Sequence, residues 1–364
     1  MKKYFVILAV SSLIVFAGCK KENTNQAYSI EGNKIVMNIA GEIPTDNPTK
    51  QAWSGERLRI FFNSGDQINI NGTEHSLSCY PSNIPGTSTS VSNYARVSCD
   101  LADDYHLFYP ANIYTVTPDN STTPATYVAT VALPGEVSLI NNDAMVNFAS
   151  MNNVPVWPLY THLNDAALHP TTTTTGATTE DGARFELKNA VAIIAPEIIY
   201  AQEWAEVVFG GTYATPADCP TLYVTDVVIT CNEHSLHGAS TLNTADPTAP
   251  YLMMDDTIAN GTNNKIVCHL DNPKVITGQA GVNQMLGNVA APVMYMNHTF
   301  QVNIYFYTVI DGTTTYYKYQ SRQGRNILPL RRSYRTFFDF NFQTIEGTGQ
   351  GVVISSQATP FTVE

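Results

Sequence analysis

The residue with the most definite chemistry is Cys19. It directly follows Ala17-Gly18, which closes an apolar run from Tyr4 to Phe16 headed by Met1-Lys2-Lys3. A short positive segment, an apolar segment and small residues before a Cys make a secretory leader over residues 1–18 ending in a lipobox, cut between Gly18 and Cys19. Phe16 stands three before the Cys, where Leu is usual. The freed Cys19 would accept lipid, and at ~0.8 kcal/mol per buried CH2 several acyl chains anchor a protein firmly. Beyond residue 17 no stretch approaches the ~18 apolar residues a membrane span needs.

The other candidate chemistry is thinner. Five further cysteines, Cys79, Cys99, Cys219, Cys231 and Cys268, leave at least one thiol free. Export permits disulfides. Cys79 and Cys99 each end a strand-like run (HSLSCY and YARVSC), so a disulfide between them could close a hairpin. Cys231-x-x-His234-x-x-His237 matches no strong metal spacing and reads as a strand end and turn. Asp103-Asp104 with His106, beside Tyr109-Pro110, reads as a loop. Gly347-x-Gly349-x-Gly351 lacks a following helix and reads as a linker, not a phosphate cradle. There is no HExxH, GxSxG or Walker loop. The expectation is a protein that is not an enzyme, with no metal and no cofactor. Sequons at Asn71, Asn120, Asn260 and Asn297 are of the number that chance gives in a chain with 41 Thr and 31 Asn.

These residues need a frame to hold them. The chain has 364 residues, a length that suggests two domains. Hydrophobic residues are 44%, enough for buried cores, and charged residues only 14%, so the surface is largely uncharged polar. A net charge of −12 without a Lys/Arg run argues against nucleic acid as a partner. Period-2 patterns dominate from residue 33 onward. Phe300, Val302, Ile304, Phe306 and Thr308 share one face, as do Tyr334, Thr336, Phe338, Phe340 and Phe342. Segments 185–194 and 221–230 are strand-like too, and the best helix candidates, 199–208 and 281–288, are short. The fold class expected is all-β, built of β-sandwiches. A Thr-rich break at 170–183 divides the chain into sandwiches at 33–170 and 184–346, after a polar tether at 19–32 and before an apolar tail at 347–364.

Taken in order, several stretches resemble the Bacteroidales fimbrillins, or type V pilins. They are the lipobox at Cys19, Thr49-Lys50, Arg59-Ile-Phe-Phe leading to Gly65-Asp66-Gln-Ile, and Leu107-Phe-Tyr-Pro110. Phe185-Glu-Leu-Lys-Asn-Ala-Val-Ala-Ile-Ile194, Thr225-Asp-Val-Val-Ile229, Leu236-His-Gly238 and Tyr334 to Phe342 complete the set. The resemblance implies two tandem transthyretin-like sandwiches and a fimbrial subunit exported to the outer membrane as a lipid-anchored precursor. It also implies a trypsin-like or Arg/Lys-specific protease that cuts after the first strand. Other pilin subunits would then fill the opened groove with a C-terminal strand, forming a fimbrium on the cell surface that contributes to adhesion.

The residues accommodate that scheme. Lys34 to Ala40 reads as a strand with Ile35, Met37 and Ile39 on one face. Lys50, beyond a loop with two prolines, is the expected maturation site, with Arg57 as the alternative. The tail offers Val352, Ile354, Phe361 and Val363 as a donor strand beyond a Gly-rich hinge. The competing reading is a surface lipoprotein, fimbrial anchor or tip adhesin that binds host or bacterial glycans on exposed aromatics. Trp53, Trp157, Trp204 and the 20 Tyr are the candidates for stacking.

Overall fold

A computed structural model of the chain describes residues 27–42, 45–46, 62–79, 91–92, 94–121, 126–140, 144–146, 157–164, 184–246, 249–254, 263–295, 298–320, 324–325, 330–342 and 359–360. The first half carries β1 (Tyr28–Glu31), β2 (Lys34–Gly41), β3 (Thr45–Asp46), β4 (Phe62–Asn63), β5 (Gln67–Ile70), β6 (Thr73–Ser76) and β7 (Ser78–Cys79). These are followed by β8 (Val91–Ser92), β9 (Tyr94–Asp100), β10 (Asp104–Tyr109), β11 (Tyr114–Asp119), β12 (Thr126–Leu133), β13 (Glu136–Ile140), β14 (Ala144–Val146) and β15 (Leu159–Asn164). The second half begins with β16 (Phe185–Asn189), β17 (Ala192–Tyr200) and helix α1 (Gln202–Phe209). Next come β18 (Leu222–Cys231), β19 (Gly238–Asn243), β20 (Tyr251–Met254), β21 (Lys265–Ile276), β22 (Asn283–Met285) and β23 (Val289–Ala291). The last strands are β24 (Thr299–Ile310), β25 (Thr313–Gln320), β26 (Gly324–Arg325), β27 (Tyr334–Phe342) and β28 (Thr359–Pro360).

The fold is all-β, as the alternating patterns predict. In β24 the residues expected to share a face, Phe300 to Thr308 at every second position, are the buried ones. Helix α1 falls on the expected segment. The other helix candidate, 281–288, instead holds the short strand β22, because its polar residues find partners on β17 and no apolar stripe sustains a helix. The expected strand 185–194 is interrupted at Ala190-Val191 and continues as β17, which pairs in a different sheet. Part of the expected tether is also a strand: β1 folds back on β2 through Gly32, whose φ of 66° suits glycine.

Among the described residues two hydrophobic cores form. In the first, a nine-stranded sheet ordered β6-β5-β10-β15-β16-β2-β9-β7, with β1 beside β2, packs against the sheet β11-β12-β19-β20. In the second, the sheet β14-β13-β21-β18-β24-β25-β28 packs against β22-β17-β27-β3. The segment 170–183 lies outside the described residues, and the cores do not divide the chain there. β16, β19 and β20 join the first core, while β3, β13 and β14 join sheets of the second. The chain entering β17 serves both cores. Val191 and Ile193 point into the first, Ala192 and Ile194 into the second, because side chains alternate across a strand.

The register also corrects the expected disulfide. Cys79 lies opposite Ala95, while Cys99 lies four residues further along β9, opposite Ile35. Four residues of strand span about 13 Å, well beyond the ~7 Å Cα separation a disulfide tolerates. Cys79 and Cys99 are not bridged, and Cys99, Cys219, Cys231 and Cys268 are free thiols.

Candidate functional site

The strand expected to leave, β2, is central and buried. Ile35, Met37 and Ile39 are 1%, 0% and 0% exposed, on the face the sequence predicts, and Val36 on the opposite face is buried too. β9 runs antiparallel along the whole strand, from Lys34 opposite Asp100 to Ala40 opposite Tyr94. On its other side β2 pairs with β1 over its first half and with parallel β16 at its end. Full burial of three such side chains contributes at most about 5–9 kcal/mol. Removing residues up to β2 would therefore open an apolar groove and strip backbone partners from both β9 and β16.

The chain leaves β2 through a polar latch. The Glu42 N–H donates to Leu187 O at 2.8 Å. Its carboxylate accepts from Arg332 Nη1 at 2.5 Å and Nη2 at 3.2 Å, and from the Asn189 N–H at 2.8 Å. Arg332 Nη1 also donates to Asn189 O, and the Asn189 side-chain amide donates to Glu42 O and Ser333 Oγ. This knot ties the end of β2, the end of β16 and the turn before β27. Beyond it, β3 runs parallel to β27, with Thr45 opposite Tyr334. The N-terminal segment thus grips both cores.

Many predicted site residues lie outside the described residues: Gly18, Cys19, Lys50, Arg57, Val352, Ile354, Phe361 and Val363. The described part of the tail, Thr359-Pro360, pairs with Lys318 and Tyr317 on β25 and lies on this chain's own sheet edge. Trp53 is also outside the described set. Trp157 and Trp204 are 1% and 3% exposed, so neither offers a stacking platform. Tyr223 stacks on Tyr307 at 4.8 Å, and Tyr307 meets Tyr316 at 5.5 Å, a ladder across β18, β24 and β25.

Among the described residues, two clusters hold groups able to ligate a metal. Asp104, His106 and His162 lie together on β10 and β15, where His106 is directly opposite His162. His162 Nε2 is 2.5 Å from Asp104 Oδ1 and His106 Nε2 is 3.4 Å from Oδ2. The two imidazoles stack at 4.2 Å. Burial, and then the neighbouring His162, push the His106 pKa down to about 4. The sequence reads Asp103 to His106 as a loop, whereas from Asp104 it is strand, with Asp104 and His106 on one face. The spacing Asp-x-His is the signal that strand periodicity offers, but nothing local points to His162, 58 residues away from Asp104. The second cluster is Cys231, Glu233 and His298. Burial pushes the Cys231 thiol up to about 11. His237 packs elsewhere, against Gly135, so Cys231, His234 and His237 do not converge as ligands. Asn71 is occupied: its side chain bonds Asp104 O and the His106 N–H, each at 2.7 Å.

No family model matches the chain, and no curated protein matches it. Among solved structures, a candidate cell adhesion protein from Bacteroides ovatus is 12% identical, with a TM-score of 0.38 over 90% of this chain and 98% of that one. A candidate cell adhesion protein from Bacteroides fragilis is 11% identical, with a TM-score of 0.31 over 90% and 99%. A candidate adhesin from Bacteroides ovatus is 10% identical, with a TM-score of 0.27 over 93% and 99%. Likenesses this distant assign no family.

Proposed function

We propose that this protein is a structural subunit of a cell-surface fimbria, exported as a lipoprotein through Cys19 and contributing to adhesion. Assembly follows proteolysis at Lys50 or Arg57 and replacement of β2 by the C-terminal strand of another subunit, a form of β-strand addition. The observation that carries this reading is the position of β2. It is the second strand of the described chain, yet it sits between β9 on one side and β1 and β16 on the other, with its apolar face fully buried. Its loss leaves a groove that calls for an apolar strand. The 13 residues Val352–Glu364 exceed the eight of β2, so the tail is long enough to fill it.

The test is limited trypsin digestion of the soluble chain starting at residue 20, with the new N-terminus identified by mass spectrometry and oligomers followed by size. One early cut after Lys50 and growth of polymers is the expected result. Resistance of residues 34–50 and a persistent monomer would rule out this route.

A second reading is a glycan-binding role at the tip or anchor of such a fibre. The Tyr223–Tyr307–Tyr316 ladder favours it, since flat half-exposed rings suit sugar faces. Cross-strand aromatic pairs also stabilise sheets by themselves, so the discriminating measurement is saturable sugar binding by the uncut monomer that Tyr307→Ala abolishes.

A further inference from the structure

We infer that Asp104, His106 and His162 form a binding site for a divalent first-row transition metal, with zinc the ion that best suits it. The site does not depend on the fimbrial reading. One ligand atom from each residue lies within 4.8 Å of those of the other two. Two imidazoles and one carboxylate are a set that holds zinc with three protein ligands and a solvent molecule in the fourth position. They do not suit calcium or magnesium, which take all-oxygen shells.

The distances are close to what binding requires. Tetrahedral zinc with bonds of about 2.0–2.1 Å places its ligand atoms about 3.3 Å apart. His106 Nε2 and Asp104 Oδ2 stand at 3.4 Å. His162 Nε2 is hydrogen-bonded to the other carboxylate oxygen, Asp104 Oδ1, at 2.5 Å, and must give up that bond for the ion to enter. Its proton passes to Nδ1 by tautomerisation, so both Nε2 lone pairs can face the metal.

The surroundings hold the ligands in place as a metal site needs. His106 Nδ1 lies 2.8 Å from Tyr160 Oη, and when Nδ1–H donates there, Nε2 keeps its lone pair. Asn71, with φ of 53°, bonds both Asp104 and His106 through its side chain, and its N–H donates to His106 O at 3.0 Å. The backbone between two ligands is thereby fixed from outside. Tyr127 covers His106 at 5.0 Å, while the His162 side chain remains 23% exposed and leaves an entry path. A bound ion would join β10 to β15 across their ladder.

The experiment is a titration of the soluble chain starting at residue 20, after dialysis against a chelator, with Co2+ and then Zn2+. One equivalent of Co2+ should give the visible absorption of a four-coordinate site, displaced by Zn2+, and zinc should raise the Tm. His162→Ala, at the partly exposed ligand, should abolish both signals, as should Asp104→Asn. Cys231→Ala should keep them. Tyr160→Phe should weaken binding by about 10–100-fold without abolishing it. Equal uptake by His162→Ala, loss on Cys231→Ala instead, or no uptake at about 100 μM metal by folded protein would each overturn the proposal.

Discussion

Glu42 and Arg332 lie 290 residues apart in the chain, yet the guanidinium grips both oxygens of the carboxylate at 2.5 and 3.2 Å. Both side chains are largely buried, at 15% and 18% exposure. The fork-to-fork geometry is the strong form of a charge-assisted hydrogen bond. It fastens the segment that the proposed maturation discards to the turn that leads into the second core. Glu42→Gln keeps the shape and removes the charge. It should cost about 1–3 kcal/mol, and Arg332→Met a similar amount. Proteolysis after β2 should accelerate in both. The double variant should be little worse than either single one, since the two share one interaction. Thermal melts and digestion time courses on the four proteins test this, and an unchanged Tm in Glu42→Gln would show that the latch carries no stability.

The buried face of β2 should dominate the stability of the first core. Met37 is 0% exposed, so Met37→Ala should cost about 2–5 kcal/mol. Lys34 on the same strand is exposed, and Lys34→Ala should stay within about 0.5 kcal/mol. Urea unfolding of both variants measures the contrast. Near-equal effects would mean that β2 is loosely held before any cut.

Deleting Val352–Glu364 separates folding from assembly. Among the described residues the tail meets the rest of the chain through the pairing of Thr359-Pro360 with the edge strand β25. The truncated monomer should keep its Tm within a few degrees and lose the ability to polymerise after trypsin. A synthetic peptide of the tail sequence added to cut protein should cap the groove and block growth. Polymerisation of the truncated protein would mean that another strand serves as donor.

The thiols give a pH prediction. Burial pushes Cys99 from 9.0 to about 11, with Asp100 adding to the rise, and Cys231 moves likewise. A thiol whose folded pKa is raised holds its proton more tightly in the native state, so stability is fully present below pH 9 and falls as pH rises from about 9 to 11. Each site should lose roughly 2–3 kcal/mol across that window. Iodoacetamide at pH 8 should label Cys79, which is partly exposed, before Cys99, Cys231 and Cys268. Reducing agent should leave the Tm unchanged, because Cys79 and Cys99 are not bridged.

Much of the architecture was legible residue by residue. The faces of β2 and β24 follow from alternation alone, because a half-buried strand needs apolar groups every second position. α1 follows from a short stretch of helix formers around Trp204. In the sequence Cys79 and Cys99 look like two ends of one hairpin, whereas β7 pairs with β9 in a register that opposes Cys79 to Ala95. Tyr28–Glu31 reads as tether because its apolar content is low, yet it is a strand. Its strand state comes from the β2 edge it meets and from Tyr28 stacking on Phe185 at 6.3 Å.

By itself the sequence determines the all-β class and the inward faces of strands such as β2 and β24, since each of these is a local property of composition and period. The partners were decided by tertiary structure alone. Alternation says which face a strand buries but not which strand lies beside it, and register is set by contacts between distant segments. That is why β16 lies on β2 and not in the second core, why Glu42 finds Arg332, and why His162 completes a cluster with Asp104 and His106. Each of these joins residues that no local pattern connects.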